Sequence, residues 1–424
     1  MSPTFSSLRN RNYRLYASGM LVSNVGTWMQ RVAQDWLVLQ LTHGSGLALG
    51  ITTGLQFLPM LVFGLWGGML ADRYPKRTIL TLTQTFMGVC ALVLGVLVLT
   101  DSVAVWQVYL LAALLGLGTA VDNPARQSFV IEMVGPDDLT NAVGLNSASF
   151  NMGRVLGPAT AGILIDLWGT GPVFVINAVS FLAVLVALRQ MRESELLRTP
   201  LSGRGRGQVR AGIEYVRGRP DLMVLLFVVF FVGTFGLNFQ LTTALMATQV
   251  FGKGAGQYGL LGSVMAIGSL TGALLAARRG RPRLRLMLLA AAIFGALEMA
   301  AGTMPTYWLF ALSLIPVGIS SMTFITAANS TMQLAVDPVM RGRVMALYMA
   351  VFMGGTPFGA PIVGGIAEAL GARWSLWLGG GITLAATVVG ALLMARVRGL
   401  VLRASWSPLP ALRLVETPDL ESVR

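Results

Sequence analysis

Residues 47–100 read LALGITTGLQFLPMLVFGLWGGMLADRYPKRTILTLTQTFMGVCALVLGVLVLT: two apolar runs, 47–71 and 78–100, joined by the charged link Asp72-Arg73-Tyr-Pro-Lys76-Arg77. Each run supplies the about 20 apolar residues that a helix needs to cross a hydrocarbon core of roughly 30 Å. The pattern repeats along the chain. Runs at 15–41, 47–71, 78–100, 104–122, 139–166 and 171–190 are followed by 221–249, 256–277, 284–303, 306–334, 342–368 and 373–396. The expected fold is therefore an all-α membrane protein of twelve transmembrane helices. Of the 424 residues 54% are hydrophobic and 12% charged, too few polar groups to cover a water-facing surface.

The basic residues orient these runs. Of the 31 Lys and Arg, 27 fall before the first run, in alternate loops or after the last run. Lys253 and Arg373 lie on the other side, and Arg31 and Arg154 lie inside runs. The positive-inside rule then places both termini in the cytoplasm. The net charge of +13 is spread between spans and forms no basic domain, which argues against a nucleic-acid partner. Cys90 is the only cysteine and His43 the only histidine, so the sequence supports no metal site, no cofactor and no enzyme. Proton chemistry must use carboxylates.

The halves echo each other. Gly67, Leu70, Ala71 and Arg73 recur as Gly272, Leu275, Ala276 and Arg278, 205 residues on; Gly157 and Gly162 recur as Gly359 and Gly364, 202 on. The chain divides into a first six-helix bundle (1–190), a cytoplasmic linker (191–220), a second bundle (221–396) and a cytoplasmic tail (397–424). The linker has a Gly/Arg-rich stretch, Ser202–Gly207, then an amphipathic stretch with Val209, Ile213 and Val216 opposite Arg210, Glu214 and Arg217. That stretch lies either along the inner membrane surface or as an exposed linker helix. Two repeats around a central site suit alternating access.

Ionisable residues inside spans cost about 2.5–3.5 kcal/mol on insertion scales and need a partner or a purpose. Arg31 and Asp35 share one helix face with Asn24 and Trp28, and Gln34 flanks it. Asp35 either loads and releases a proton or forms a permanent ion pair with Arg31; the residues allow both. Arg154, with Ser147, Asn151 and Pro158 on its face, is placed to bind an anionic group, to pair with Asp35, or to hydrogen-bond a carbonyl freed by Pro158. Asn238 and Gln240 are further candidates for the cavity wall. Glu298 is assigned to a peripheral helix, and Asp166 and Glu368 to outer helix ends.

The stretch from Gly68 through Asp72-Arg73 to Lys76-Arg77 resembles the signature of the major facilitator superfamily, Gly-x-x-x-Asp-Arg/Lys-x-Gly-x-Arg/Lys-Arg/Lys, with Pro75 in place of its glycine. The resemblance implies a cytoplasmic gate in which Asp72 caps the eleventh helix near Gly342 and Arg343. Asp122 and Arg126 would then pair with Arg73 or Arg77. Gly144, Gly153, Gly157, Pro158, Ala161 and Gly162 resemble the family's antiporter motif, with one Gly→Ala change at Ala161. Asp122-Asn-Pro-Ala-Arg126 and Asn141-Ala-Val-Gly-Leu-Asn146 look like the enterobactin-exporter-like branch of bacterial efflux proteins. One departure stands out: Gly116-Leu-Gly118 is present, but Ala112 occupies the position of the family's fourth-span arginine. The resemblance implies a monomer of the bacterial cytoplasmic (inner) membrane that exports a small amphipathic molecule, drug or siderophore, in exchange for protons. An importer or uniporter on the same fold, and a membrane sensor without transport, stay open.

The charge asymmetry is testable in a Cys90→Ala background. A cysteine at Arg217 is expected to react with an impermeant thiol reagent only in inside-out vesicles, and a cysteine at Lys253 only in right-side-out ones. The reverse pattern contradicts the orientation.

Overall fold

The computed structural model describes residues 3–197, 208–278, 284–397, 400–405 and 411–416. The expected flexible stretch Ser202–Gly207 and residues 417–424 of the tail lie outside the described residues. Five long helices form the first half: α1 (Arg11–Leu41), α2 (Gly46–Arg73), α3 (Lys76–Leu99), α4 (Val105–Trp168) and α5 (Thr170–Gln190). A short α6 (Gln208–Arg217) precedes α7 (Pro220–Phe231), α8 (Phe239–Leu245), α9 (Ala255–Ala277), α10 (Leu284–Gly302), α11 (Tyr307–Ala335), α12 (Arg341–Gly354), α13 (Thr356–Leu370) and α14 (Ala372–Val397). The chain is nearly all helical. The departure is a hairpin in the expected tail, where β1 (Leu400–Ser405) pairs antiparallel with β2 (Ala411–Glu416), Leu400 opposite Glu416.

Among the described residues ten helical stretches are long and apolar enough to cross a membrane. α1 falls outside them although it is 31 residues long, because Asn24, Gln30, Arg31, Gln34 and Asp35 dilute its apolar run. α4 is 64 residues long, which as a straight helix would measure about 96 Å, far beyond one bilayer. It breaks at Gly135, whose φ of 74° suits glycine alone, and Pro136 follows. The seventh hydrophobic run, Pro220–Val250, is interrupted by π-helical turns at Val232–Gly236 and Met246–Val250. Such turns tend to mark functional positions.

The two halves meet along two seams, α2 against α13 and α4 against α9. Both seams are tight at the end of the molecule opposite the chain termini. A Cβ on Gly46 would sit 2.6 Å from the Gly364 carbonyl oxygen, and one on Gly162 would sit 2.8 Å from that of Ala255. Only glycine permits so close an approach. At the opposite end, a Cβ on Gly64 or Gly68 of α2, Gly144 of α4 or Gly342 of α12 would meet nothing within 4 Å. The halves therefore touch at one end and part at the other.

Two carboxylates staple the closed end. Asp166, at the end of α4, accepts from the Gly256 amide in the first turn of α9 at 3.1 Å. Glu368, near the end of α13, accepts from the Leu47 amide (3.0 Å) and the Ser45 hydroxyl (2.5 Å) at the start of α2. Each carboxylate answers an otherwise unpartnered amide at the positive end of a helix belonging to the other half. The two are 202 residues apart, the same offset that relates Gly157 to Gly359. The same kind of cap thus occurs at both seams.

α6 docks on the second half. Tyr215 Oη donates to Asp337 Oδ2 at 2.9 Å, and Gly212 lies against the Arg343 side chain of α12. One wall of the widening end is thereby tied to the linker.

At about 0.3–1 kcal/mol for each cap, removing both should shift the open–closed balance at this end roughly 3- to 30-fold. In right-side-out vesicles, Asp166→Asn with Glu368→Gln should speed labelling of a cysteine at Gln34 by that factor, again in the Cys90→Ala background. An unchanged rate would show that the caps do not hold the end closed.

Candidate substrate cavity and coupling site

A cavity of about 610 Å³ is formed almost entirely by the first half, α1 to α5, with Met353 of α12 as the second half's contribution. A second, of about 260 Å³, is lined mostly by the second half. Trp28, Phe57, Arg154 and Met353 line both, so the two spaces join around the Trp28 ring. The wall is mainly apolar, with Met20, Met60, Met87, Phe150 and Phe181, and a few convergent polar groups. That composition suits an amphipathic guest.

Most of the predicted polar stripe faces this space. Asn24, Trp28, Arg31 and Gln34 of α1 line the larger cavity, and Asn238 and Gln240 line the smaller one. Asn24 Nδ2 donates to Ser149 Oγ at 2.9 Å, which ties α1 to α4. Asn238 Nδ2 donates to the Thr234 carbonyl at 2.8 Å and so satisfies an oxygen in the first π-helical turn. Asn151 lines neither cavity; its amide is turned back to the Ser147 carbonyl at 2.8 Å.

Asp35 is drawn elsewhere. Its carboxylate, 4% exposed, accepts from Tyr258 Oη of α9 at 2.8 Å, a bond that crosses from one half to the other at the closed end. Among the described residues no Arg31–Asp35 or Arg154–Asp35 ion pair forms within 4.0 Å. Arg31 instead lies over the Trp28 ring at 4.7 Å, and Arg154 approaches the same ring at 5.9 Å. Tyr258 was not singled out from the sequence. A tyrosine near the start of a span has many ordinary roles, and only the packing of α1 against the second half gives it this one.

The gate pairing expected at the terminal end needs correction. Asp122 and Arg126 pair with each other, with Arg126 Nε 2.9 Å from the carboxylate, and not with Arg73 or Arg77. Asp122, 1% exposed, also accepts from Thr83 and Gln84, each at 2.8 Å. Spaced one turn apart on α4, the pair closes within its own helix before a loop residue can reach it. Arg77 bonds to Glu193 at 2.6 Å, and the neighbouring Lys76 is buried against Glu132 at 2.7 Å. Asp72 and Arg73 sit at the end of α2, and the N-cap residue of α12, Met340, makes no side-chain cap of its own. A Cβ on Gly68 or on Gly342 would meet nothing within 4 Å.

The glycine motif divides its work between two partners. Gly153 and Gly157 bring α4 onto α1 at Asn24 and Trp28, while Pro158 and Gly162 meet α9 at Gly259 and Ala255. A Cβ on Gly144, near the open end, would meet nothing within 4 Å. Glu298 also departs from the peripheral position expected of it. It is 1% exposed, packed against Gly236 and Gly379, and its Oε2 has no hydrogen-bond partner.

A helical membrane protein with a polar-flecked cavity between two related halves, closed at one end, defines a membrane transporter. The chain belongs to the transmembrane secretion effector family of the major facilitator superfamily, whose model matches residues 2–410. It is similar to macrolide efflux protein A of Streptococcus pyogenes, at 22% identity over 91% of this chain and 96% of that protein. It is also similar to the enterobactin exporter EntS of Shigella flexneri, at 24% identity over 84% of each. The staphyloferrin A transporter of Staphylococcus aureus (strain NCTC 8325 / PS 47) is 28% identical over 41% of this chain and 44% of its own length. In fold, the chain resembles an inward-facing, occupied bacterial homologue of the human lysosomal transporter Spinster (TM-score 0.70, 17% identity, 91% and 97% coverage). It also resembles a D-xylose–proton symporter (TM-score 0.70, 13% identity, 89% and 96% coverage). These relatives are transporters and not enzymes, and this chain is a multi-pass bacterial membrane protein of the efflux type.

The two kinds of ion pair should differ in stability. Asp122→Ala strands a half-buried guanidinium and two buried donors, at an expected cost of about 3–5 kcal/mol. Arg77→Ala breaks a half-exposed pair worth about 0–1 kcal/mol. Cys90, buried and the only thiol, reports unfolding through a thiol-reactive dye. A large drop in midpoint for Asp122→Ala and a small one for Arg77→Ala is expected.

Proposed function

We propose that this chain crosses the cytoplasmic membrane twelve times with both termini inside. In this reading it works as a monomer and exports a small amphipathic molecule by alternating access in exchange for protons. Residues 1–190 and 221–396 act as the two moving halves, joined by the linker 191–220. The names of the relatives, a macrolide efflux protein and an enterobactin exporter, favour a drug or siderophore as cargo. The observation that carries the reading is the Asp35–Tyr258 hydrogen bond, which joins the halves on the side where the cavity is shut. With the positive side inward, that side faces outward, and the structure corresponds to the inward-open state.

The cycle then follows from solvation. When the halves part on the outer side, Tyr258 leaves Asp35 and outer water reaches the carboxylate, which takes a proton. A neutral carboxyl enters the closed contact at lower cost than a charged one, so the proton favours closure. Opening on the inner side lets the proton leave along the polar face of α1, by Gln34 and Arg31. The cavity then loads its next guest. Asp72, Arg73 and the first turn of α12 close the inner side when the halves rock back.

Inverted vesicles test this with a panel of dyes, antibiotics and siderophores. Wild-type protein should accumulate a cargo when the interior is made acid and lose it when the gradient is collapsed. Asp35→Asn should abolish the gradient-driven part. Full coupling in that variant would remove Asp35 from the mechanism, and accumulation without a gradient would remove the protons.

A further inference from the structure

Two guanidinium groups face the cavity without a partner of their own. Arg31 of α1 and Arg154 of α4 lie over the same Trp28 ring, at 4.7 and 5.9 Å. Among the described residues neither has a carboxylate within 4.0 Å, and neither donates a hydrogen bond. The ring face contributes about 0.5–2 kcal/mol to each cation, little against the cost of holding two like charges near each other in the membrane. The rest of the wall does not balance them. Across both cavities the charged lining residues are Arg31, Arg126, Arg154 and Asp122, and Asp122 is taken by Arg126, Thr83 and Gln84. Asp35 is engaged by Tyr258, and neither it nor Glu298 lines either space.

We propose that the cargo is an organic anion whose acidic group sits between Arg31 and Arg154 at the Trp28 ring. Its apolar body lies between Phe57 and Met353. The proposal rests on the export reading above and names the class of molecule exported. A carboxylate or similar oxyanion supplies the missing countercharge and accepts from the guanidinium N–H groups, which as charge-assisted bonds are about twice as strong as neutral ones. A cationic guest would meet a wall carrying two uncompensated positive charges. The placement also ties cargo to gate. Arg31 is one helical turn from Asp35, so an anion on Arg31 withdraws the positive field on which the buried carboxylate leans. Cargo then favours opening of the outer side, as a proton on Asp35 favours its closure.

The test uses three probes with one body: 1-pyrenebutyrate, 1-pyrenebutanol and 1-pyrenebutylamine, which are anionic, neutral and cationic. Saturable binding to the full-length protein in nanodiscs is read as tryptophan-to-pyrene energy transfer, with empty nanodiscs subtracted. Pyrenebutyrate should bind at least tenfold more tightly than either analogue. Arg31→Gln and Arg154→Gln should each remove most of that preference and leave pyrenebutanol binding within about twofold. Thermal labelling of Cys90 monitors folding of each variant, and Arg31→Lys and Arg154→Lys, which keep the charge, should retain part of the preference. Equal affinity for the three probes, preference for the amine, absence of saturable anion binding, or an anion preference untouched by both glutamine substitutions overturns the proposal. Flux assays on the same preparation separate it from the export reading: anion-selective binding without flux defeats export and keeps the site, and gradient-driven flux without anion preference does the reverse.

Discussion

A carboxyl group buried in an apolar slab gains from a hydrogen-bond partner, and Asp35 finds its partner on the other half of the molecule. That single demand organises much of the architecture. It requires α1, which belongs to the first half, to stay within 2.8 Å of Tyr258 on α9, and so it brings the two halves together at one level of the membrane. The glycines at 46, 162 and 364 allow the backbones to approach there, and Asp166 and Glu368 fix the helix starts on either side. Each of these contacts is modest.

At the opposite end the ion pairs found among the described residues beside the glycines lie within one half. Gly68, Gly144 and Gly342 face open space, and the charges near them are satisfied within their own half, Asp122 by Arg126 and Lys76 by Glu132. The difference is physically reasonable. Charges resolved inside one half leave that half rigid and free to move, whereas charges resolved across the seam hold the halves together. The chain uses the first arrangement where the cavity is open and the second where it is shut.

Much of this was legible in the sequence. The nearly all-helical membrane fold and the glycine spacing rest on periodicities that survive in one dimension, and the polar face of α1 follows from helical geometry. The pairing of Asp122 was not legible, because several basic residues were within plausible reach and only the helix register chose Arg126. Tyr258 lies 223 residues from Asp35, a separation no local pattern spans. The matched caps at Asp166 and Glu368 did leave a trace, since their offset of 202 equals that of the flanking glycines. The sequence places them only at outer helix ends; in the fold each reaches the other half. Glu298 shows the opposite limit: a helix assigned to the periphery still turns one face inward, and that face carries the second half's most deeply buried carboxyl.

The central claim is that the charge on Asp35 controls whether the outer seam is closed. Spin labels at Thr42, just past α1, and Lys253, just before α9, report that seam through their distance distribution by pulsed electron–electron resonance. The account predicts that the wild-type distribution moves toward longer distances as pH rises and the carboxylate is left charged, and that Asp35→Asn stays short at every pH. The same pH-dependent widening in Asp35→Asn would contradict it.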